Sequence, residues 1–225
     1  WDVAILKSGS AAALHVAAAE AWAVPCLNGS AATRLTQDKL ASSAILQRAG
    51  LPIAPSRLVW IDGDVGADPA WKAQLGALGD RRQMVKAARG SRGVGFWTAE
   101  PGALTALAAT LPAGPYLVME WIPHGGDDLK VFVAGEWMAA IERPFPAATP
   151  EAKLGRPAGI PDTVAEATRQ VGAVLGLSCY GCDFVAGAGG WTLVDVNAFP
   201  GYKGAPDAAA AIVREAARVV GRRAS

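Results

Sequence analysis

The 225-residue sequence has little charge, few cysteines and no long apolar run, and each shortage argues against a class of protein. Only 18% of the residues are charged and the formal net charge is +1, so nothing predicts the basic surface that nucleic acids require. The Ala-rich stretches are interrupted by His15, Glu20 and Arg214, which leaves them short of the roughly 18–20 residues of a membrane span. No basic and apolar leader is visible either, so we expect a cytoplasmic protein without nucleic-acid or membrane partners.

The three cysteines are too few for the disulfide framework of a small secreted protein. Cys179 and Cys182 match C-x-x-C, the spacing of a redox pair or of half a zinc site. A zinc site needs two further ligands, and only Cys26, His15 and His124 remain, none at ligand spacing. We therefore interpret the cysteines as small buried core residues.

A hydrophobic content of 52% is typical of a globular chain, and the apolar periodicity predicts a mixture of helices and strands. One helix is predicted to begin at the N-cap Thr36, with Asp38 in its first turn, and to stop at Gly50. The other predicted helices are 11–23, 103–111, 163–175 and 207–220, and the strands are 2–7, 24–27, 83–88, 94–97, 116–122, 129–134, 137–143, 180–186 and 191–197. Strands arranged in antiparallel hairpins with helices between them indicate an α+β fold of two lobes.

The last two strands are predicted to form a hairpin around a turn at 187–190. Symmetric closure puts Asp183 opposite Asp195, and two-residue alternation puts Asn197 on the same face. The other face would carry Cys182, Phe184, Val194 and Val196. Opposed carboxylates repel each other unless a cation lies between them, and this oxygen set suits Mg²⁺. A solvated polar face on an edge hairpin is the alternative.

A glycine-rich stretch follows Lys86, which lies on a predicted strand. It contains Gly90, Ser91, Gly93 and Gly95. Glycines allow backbone N–H groups to converge on phosphate oxygens, and the serine adds a hydroxyl donor. The stretch is not a Walker A loop, because no G-K-[ST] follows. An ordinary hairpin loop is the alternative.

Four more short motifs complete a set of six in a fixed order. They are Asp38-Lys39 with Ala49-Gly50-Leu51-Pro52, then Glu120-Trp121-Ile122, Gly126-Asp127-Asp128-Leu129-Lys130-Val131 and Ala140-Ile141-Glu142-Arg143. The hairpin itself continues from Asp195-Val196-Asn197 to Pro200-Gly201. Over about residues 28–204, this series resembles the ATP-grasp superfamily, and most closely its RimK-like branch of carboxylate–amine ligases.

The resemblance implies an ATP-grasp domain at 31–225, whose lobes of about 52–119 and 120–225 clasp ATP. Residues 1–30 resemble only the final portion of the family's N-terminal α/β domain. The implied nucleotide contacts are Lys39, Lys86, Gly90, Ser91, Gly93 and Gly95 at the phosphates, Glu120, Trp121 and Ile122 at adenine, Asp128 at the ribose and Lys130 at a phosphate. The implied catalytic residues are Arg143 and Lys130, and the implied metal ligands are Asp183, Asp195 and Asn197.

The activity that the resemblance implies is the ATP-dependent joining of a small-molecule or peptide carboxylate to an amine through an acyl phosphate. The implied metal is Mg²⁺, with Mn²⁺ as the substitute. Two alternatives stay open, because residues 195–202 and 123–126 also look like segments of the inositol-phosphate kinases, and because the domain could bind ATP without turnover.

The sequence also departs from the family's pattern. Residues 144–161 replace an Arg-x-Asn and glycine-rich stretch, and they offer only Lys153 and Arg156 as obvious cations. Lys130 stands in place of an arginine and gives up bidentate phosphate geometry. Asp195 stands where glutamate is commoner. The acid, the amine and the oligomeric state are therefore not specified by the sequence.

Overall fold

The computed structural model describes residues 2–20, 23–61, 81–88, 95–145 and 149–224. Within these ranges the strands are β1 Ala4–Ile5, β2 Cys26–Leu27, β3 Ser56–Ile61, β4 Gln83–Ala87, β5 Phe96–Ala99, β6 Gly114–Glu120, β7 Asp127–Ala134, β8 Trp137–Pro144, β9 Arg156–Ala158, β10 Cys179–Gly187 and β11 Gly190–Ala198. The helices are α1 Ala11–Glu20, α2 Ser30–Gln37, α3 Lys39–Arg48, α4 Leu104–Ala108, α5 Asp162–Leu175 and α6 Ala208–Ala224. In this part of the chain no helix has both the length and the apolarity of a membrane span.

The larger sheet is antiparallel and has the order β11-β10-β7-β8-β9. Alternation along β7 turns Leu129, Val131 and Val133 toward α5, where they pack against the fully buried Val164 and Val171. Burying one such side chain is worth about 1.5–3 kcal/mol, so this layer anchors the sheet. Lys130 therefore belongs to the opposite face of β7.

The smaller sheet has the order β3-β6-β4-β5 and is also antiparallel. One face carries Val85 and Val118, which pack against α4 residues in a separate core. The alternating positions Met84, Lys86 and Met119 belong to the other face. That face turns toward the larger sheet, because Lys86 Nζ donates a hydrogen bond of 2.7 Å to the carbonyl of Val194 on β11.

The start of α3 differs from the sequence prediction. Asp38 is the N-cap, and its carboxylate accepts hydrogen bonds from the N–H groups of Leu40 and Ala41 at 3.1 and 3.0 Å. Thr36 instead lies in α2 and donates its hydroxyl to the Ala32 carbonyl at 2.7 Å. The prediction of Thr36 as the N-cap was wrong, because a threonine hydroxyl can bond back within its own helix while a carboxylate terminates the helix more strongly.

The N-terminal segment is attached to the larger sheet through Asn28. This buried side chain donates to the carbonyl of Cys179 at 2.6 Å and accepts from the N–H groups of Ser178 and Cys179, both at 2.9 Å. Strands β1 and β2 form a short parallel pair just before it. The division at residue 30 and the lobe boundaries stay predictions.

The C-x-x-C pair lies inside the protein. Cys182 packs in the core beneath α5, whereas Cys179 belongs to a separate cluster on the other side of β10, and both are fully buried. Burial raises the pKa of the Cys179 thiol to about 11, and burial likewise raises the pKa of Cys182 far above its ordinary value. Both are free thiols, and we interpret them as packing residues, as the sequence suggests.

Candidate functional site

The β10–β11 hairpin places Asp183 directly opposite Asp195, as the sequence predicts. A bulge between Asp183 and Phe184 then shifts the register, so that Phe184 pairs with Leu193. Leu193 joins the core, while Val194 lines the cleft between the sheets. The prediction that Val194 lies on the core face was wrong, because a bulge adds one residue to a strand and reverses the alternation beyond it.

Two lysines hold Asp195. Lys39 Nζ lies 2.6 Å from Asp195 Oδ1 and also donates to the Val196 carbonyl at 3.0 Å. Lys86 Nζ approaches the same carboxylate oxygen at 3.7 Å. Burial alone would raise the pKa of Asp195, but Lys39 and then Lys86 outweigh it and hold that pKa below its ordinary value. Burial lowers the pKa of Lys86, and Asp195 offsets part of that effect.

A second group of charges lies on β7, β8 and β10. Lys130 is opposite Asp183 in the β7–β10 register and forms an ion pair with it. Arg143 Nη2 lies 3.4 Å from the other oxygen of Asp183. Lys130 and Arg143, both predicted as catalytic, therefore meet at the carboxylate that was predicted to bind metal.

Arg143 is also clamped to Asp128 on the neighbouring strand. Its Nε and Nη2 atoms donate to the two carboxylate oxygens at 2.8 and 2.9 Å. The Asp128 side chain is 0% exposed, and burial raises its pKa, with the Arg143 hydrogen bonds acting in the opposite direction. The ribose contact expected for Asp128 stays a prediction, and in this structure both of its carboxylate oxygens accept hydrogen bonds from Arg143.

An apolar slot lies beside these charges. Its walls are Ala54, Met84, Met119, Ile122, Val185 and Val194, together with Glu120, Trp121, His124 and Phe145. The rings of Trp121, His124 and Phe145 form one cluster, with centroids 5.4–6.1 Å apart. Its lining combines aromatic side chains with few polar groups, which is the composition typical of sites for flat heteroaromatic ligands.

Solved structures with the same arrangement of elements identify the fold. A RimK-domain ATP-grasp protein from Sphaerobacter thermophilus superposes with a TM-score of 0.71 over 98% of this chain and 81% of its own, at 21% sequence identity. The ATP-grasp ligase PsnB, solved with a minimal precursor, Mg and ADP, superposes with a TM-score of 0.62 over 87% of this chain and 64% of its own, at 22% identity. The chain has the ATP-grasp fold.

A curated relative points in the same direction. The probable alpha-L-glutamate ligase of Rhodopirellula baltica is 27% identical over 189 residues, which covers 80% of this chain. The chain spans only 45% of the length of that relative. No family model matches the sequence. The predicted resemblance to RimK-like ATP-grasp proteins and the predicted α+β ATP-grasp fold are both confirmed.

The ATP-grasp hinge predicted at Glu120, Trp121 and Ile122 lies at the end of β6, and all three residues line the slot. The N–H of Glu120 donates to Pro55 and that of Trp121 to Arg82, both at 2.9 Å. The Arg82 guanidinium lies 4.5 Å from the centre of the Trp121 ring, and Arg81 forms an ion pair with Glu120. Glu120 and Trp121 are therefore held by both backbone and side-chain contacts, and the adenine contact expected of this segment stays a prediction.

The predicted phosphate loop is only partly covered, because Gly90, Ser91 and Gly93 lie outside the described residues. Gly95 has a φ of +83°, and a Cβ there would meet the Ala87 Cβ at 3.0 Å. Its carbonyl accepts the Ala87 N–H at 2.8 Å. Gly95 therefore extends the β4–β5 pairing by one residue beyond the last pair, Lys86 and Phe96. Its positive φ and the close Ala87 Cβ favour glycine there independently of any ligand.

The two cationic residues of 144–161 form no ion pair with Asp183 or Asp195 among the described residues. Lys153 is exposed, and Arg156, on β9, forms ion pairs with Glu142 at 2.8 Å and Asp127 at 3.2 Å. Both Arg156 and its partners are more than one-third exposed, so these pairs add little stability.

The predicted metal ligands fit magnesium that arrives with a nucleotide. Asn197 Nδ2 donates to Asp195 Oδ2 at 2.9 Å, so the amide lies beside the two opposed carboxylates. Among the described residues no cluster of three or more His, Cys, Asp or Glu could hold a metal ion. Magnesium is usually bound by one or two carboxylates together with substrate phosphates and water, so Asp183, Asp195 and Asn197 are a sufficient protein share.

Two lining residues of the slot were missed or discounted in the sequence. Phe145 follows β8 in the stretch where the family's pattern fails, and no spacing signals it. In the sequence, His124 was considered as a zinc ligand and set aside, although its place four residues after Glu120 is a hint. Both are brought to the slot by the hydrogen bond of 2.8 Å from the Phe145 N–H to the Gly126 carbonyl, which draws the two loops together.

Proposed function

We propose that this chain binds ATP with magnesium and uses the γ-phosphoryl group to activate a carboxylate, which an amine then converts to an amide. The observation that supports it is the meeting, in one cleft, of an apolar aromatic slot, two lysines and two opposed carboxylates. The slot would take the adenine ring, with the hinge backbone at its edge. Lys39 and Lys86 would take the phosphates.

The carboxylates Asp183 and Asp195, with Asn197, would hold the metal. Magnesium, when bound there, would supply charge neutralisation during the phosphoryl transfer. The nearby cations divide the remaining work. Lys130 would balance Asp183 and face a phosphate oxygen. Arg143, oriented by its two bonds to Asp128, would stabilise the negative charge that develops during transfer.

The chemistry runs in two steps. An oxygen of the substrate carboxylate attacks the γ-phosphorus, the bond to the β-phosphate oxygen breaks, and ADP leaves. The amine nitrogen then attacks the acyl carbon, phosphate leaves, and the nitrogen loses a proton. The cleft must exclude water until the amine has attacked, because hydrolysis of the acyl phosphate would waste ATP.

The relatives suggest which substrates to test first. The name of the Rhodopirellula baltica relative makes L-glutamate the first candidate. PsnB, which has also been solved with a precursor peptide, makes a peptide carboxylate the second. The expected cytoplasmic location, Mn²⁺ as a substitute metal and the oligomeric state stay predictions.

ADP release and hydroxylamine trapping test the proposal together. The protein is incubated with MgATP and a panel of carboxylates and amines, which includes L-glutamate and glutamate-containing peptides. We expect ADP only when a carboxylate is present, and a hydroxamate when hydroxylamine replaces the amine. Phosphorylation of a hydroxyl acceptor without hydroxamate would instead favour the kinase alternative, and ATP binding without ADP release would favour a non-catalytic module.

A further inference from the structure

The ring of His124 lies in the wall of the apolar slot with one nitrogen already engaged. The N–H of Gly126 donates to His124 Nδ1 at 3.1 Å, so the neutral imidazole carries its proton on Nε2. The residue is half-buried, yet its Nε2 atom is closed off from solvent and has no hydrogen-bond partner among the described residues. A buried donor without a partner is uncommon and costly, which makes it a sign of a missing ligand.

The other buried polar atoms without a hydrogen bond either lie away from the slot or have a charged group beside them. Thr33 Oγ1 and Thr168 Oγ1 lie on α2 and α5, away from the residues that line the slot. Arg82 Nε, although it makes no well-aligned hydrogen bond, lies 2.9 Å from a carboxylate oxygen of Glu100. Among these atoms, only His124 Nε2 belongs to a residue that lines the slot.

The position of His124 is fixed by its surroundings. Its ring centroid is 5.4 Å from that of Trp121 and 5.7 Å from that of Phe145. The loop that carries it is tied to Phe145 through Gly126, whose carbonyl accepts the Phe145 N–H at 2.8 Å. Because Nδ1 is bound to the loop, Nε2 is the ring nitrogen that remains for a partner in the slot that the residue lines.

We propose that His124 is a specificity residue that donates its Nε2–H to an acceptor on the nucleoside of the bound nucleotide. The assignment rests on the proposed function for the identity of the ligand. It adds a donor that lies beyond the hinge residues Glu120 to Ile122. The acceptor is a ring nitrogen of the purine or a ribose hydroxyl, and the phosphates, which Lys39 and Lys86 would hold, are not involved.

The test uses the full chain and measures affinity without turnover, by calorimetry in the presence of Mg²⁺. His124→Phe keeps an aromatic ring between Trp121 and Phe145 but removes the donor, and His124→Gln restores an N–H. His15→Phe, at the second histidine, on the exposed side of α1, is the matched control. We expect His124→Phe to raise the Kd for ATP by about three- to tenfold, the range for one lost hydrogen bond, and His124→Gln to recover part of it.

The acceptor is located with ATP analogues that each lack one candidate atom: 1-deaza, 3-deaza, 7-deaza, 2′-deoxy and 3′-deoxy. The increase in Kd that His124→Phe causes should vanish for one analogue and persist for the others, as in a double-mutant cycle. Tripolyphosphate should bind the variant and the unaltered chain equally.

Three results would overturn the assignment: no change in the Kd for ATP, an equal loss for tripolyphosphate, or a penalty that survives in every analogue. Each of these leaves the ligase proposal standing, because turnover is assayed separately. Conversely, the chain could show the predicted loss of affinity, confined to one analogue, and yet have no ligase turnover. That result would support the role of His124 and refute the ligase activity. Failure of the unaltered chain to bind ATP overturns both.

Discussion

Replacement of Arg143 by methionine should destabilise the protein strongly, and for a reason that lies in its partner. Asp128 keeps a side chain with 0% exposure, and it loses two charge-assisted hydrogen bonds of 2.8 and 2.9 Å. Removal of one member of a buried pair leaves an uncompensated charge, which costs about 3–5 kcal/mol. We expect a loss of this size in the free energy of unfolding at pH 8.

The loss should depend on pH in a definite direction. Burial already raises the pKa of Asp128 above its unfolded value, and Arg143 acts against that rise. Without Arg143 the folded-state pKa increases further. A carboxyl with a raised folded pKa costs stability above its unfolded pKa, and that cost is relieved as the pH falls through the folded pKa. The destabilisation should therefore be smaller at pH 5 than at pH 8.

Urea unfolding followed by tryptophan fluorescence measures this, because urea does not screen charge. Asp128→Asn is the matched control, since it removes the buried charge and leaves Arg143 its contact of 3.4 Å with Asp183. A double variant that carries both Arg143→Met and Asp128→Asn should be more stable than Arg143→Met alone. A loss below about 1 kcal/mol at pH 8, or equal losses at pH 5 and pH 8, would refute the reasoning from a buried, clamped carboxylate.

Three further predictions follow from single positions. Asp183→Asn should abolish ADP release and weaken Mn²⁺ binding in the presence of ADP at least tenfold by electron paramagnetic resonance, and unchanged Mn²⁺ affinity would contradict the metal assignment. Gly204→Ala should lower the melting temperature far more than Gly102→Ala: both have φ near +80°, but only at Gly204 would a Cβ overlap a backbone oxygen. Cys182 should resist thiol reagents at pH 8 until urea unfolds the chain, and rapid labelling of the native protein would contradict its placement in the core.

The hairpin shows how far the sequence alone could go. Two-residue alternation and one turn were enough to predict that Asp183 opposes Asp195, because pairing across a short turn is a local property. The bulge beside Asp183 was not predictable, since no residue type in the strand indicates a bulge there. Val194 was consequently assigned to the wrong face.

The charges of the site were harder to predict than its residues. Arg143 and Asp128 are separated by fifteen residues, and only the β7–β8 register reveals that they face each other. The ribose contact expected for Asp128 stays a prediction, and the pair that its buried carboxylate makes with Arg143 could not be read from the spacing of the motif. The same limit applies to His124, whose neighbour Phe145 is close in space because two loops meet, and not because of its spacing along the chain.

The hydrogen bond from Lys86 on β4 to the Val194 carbonyl on β11 makes one ammonium group serve two purposes. It links the two sheets by a hydrogen bond, and it is also a positive charge that a phosphate would attract. A nucleotide that draws this ammonium away would loosen a contact within the protein and replace it with a bridge through the ligand. Under the proposed function, nucleotide occupancy and the coupling of the two sheets would therefore depend on each other. Amide hydrogen exchange along β11 would report occupancy even with a nucleotide that cannot react.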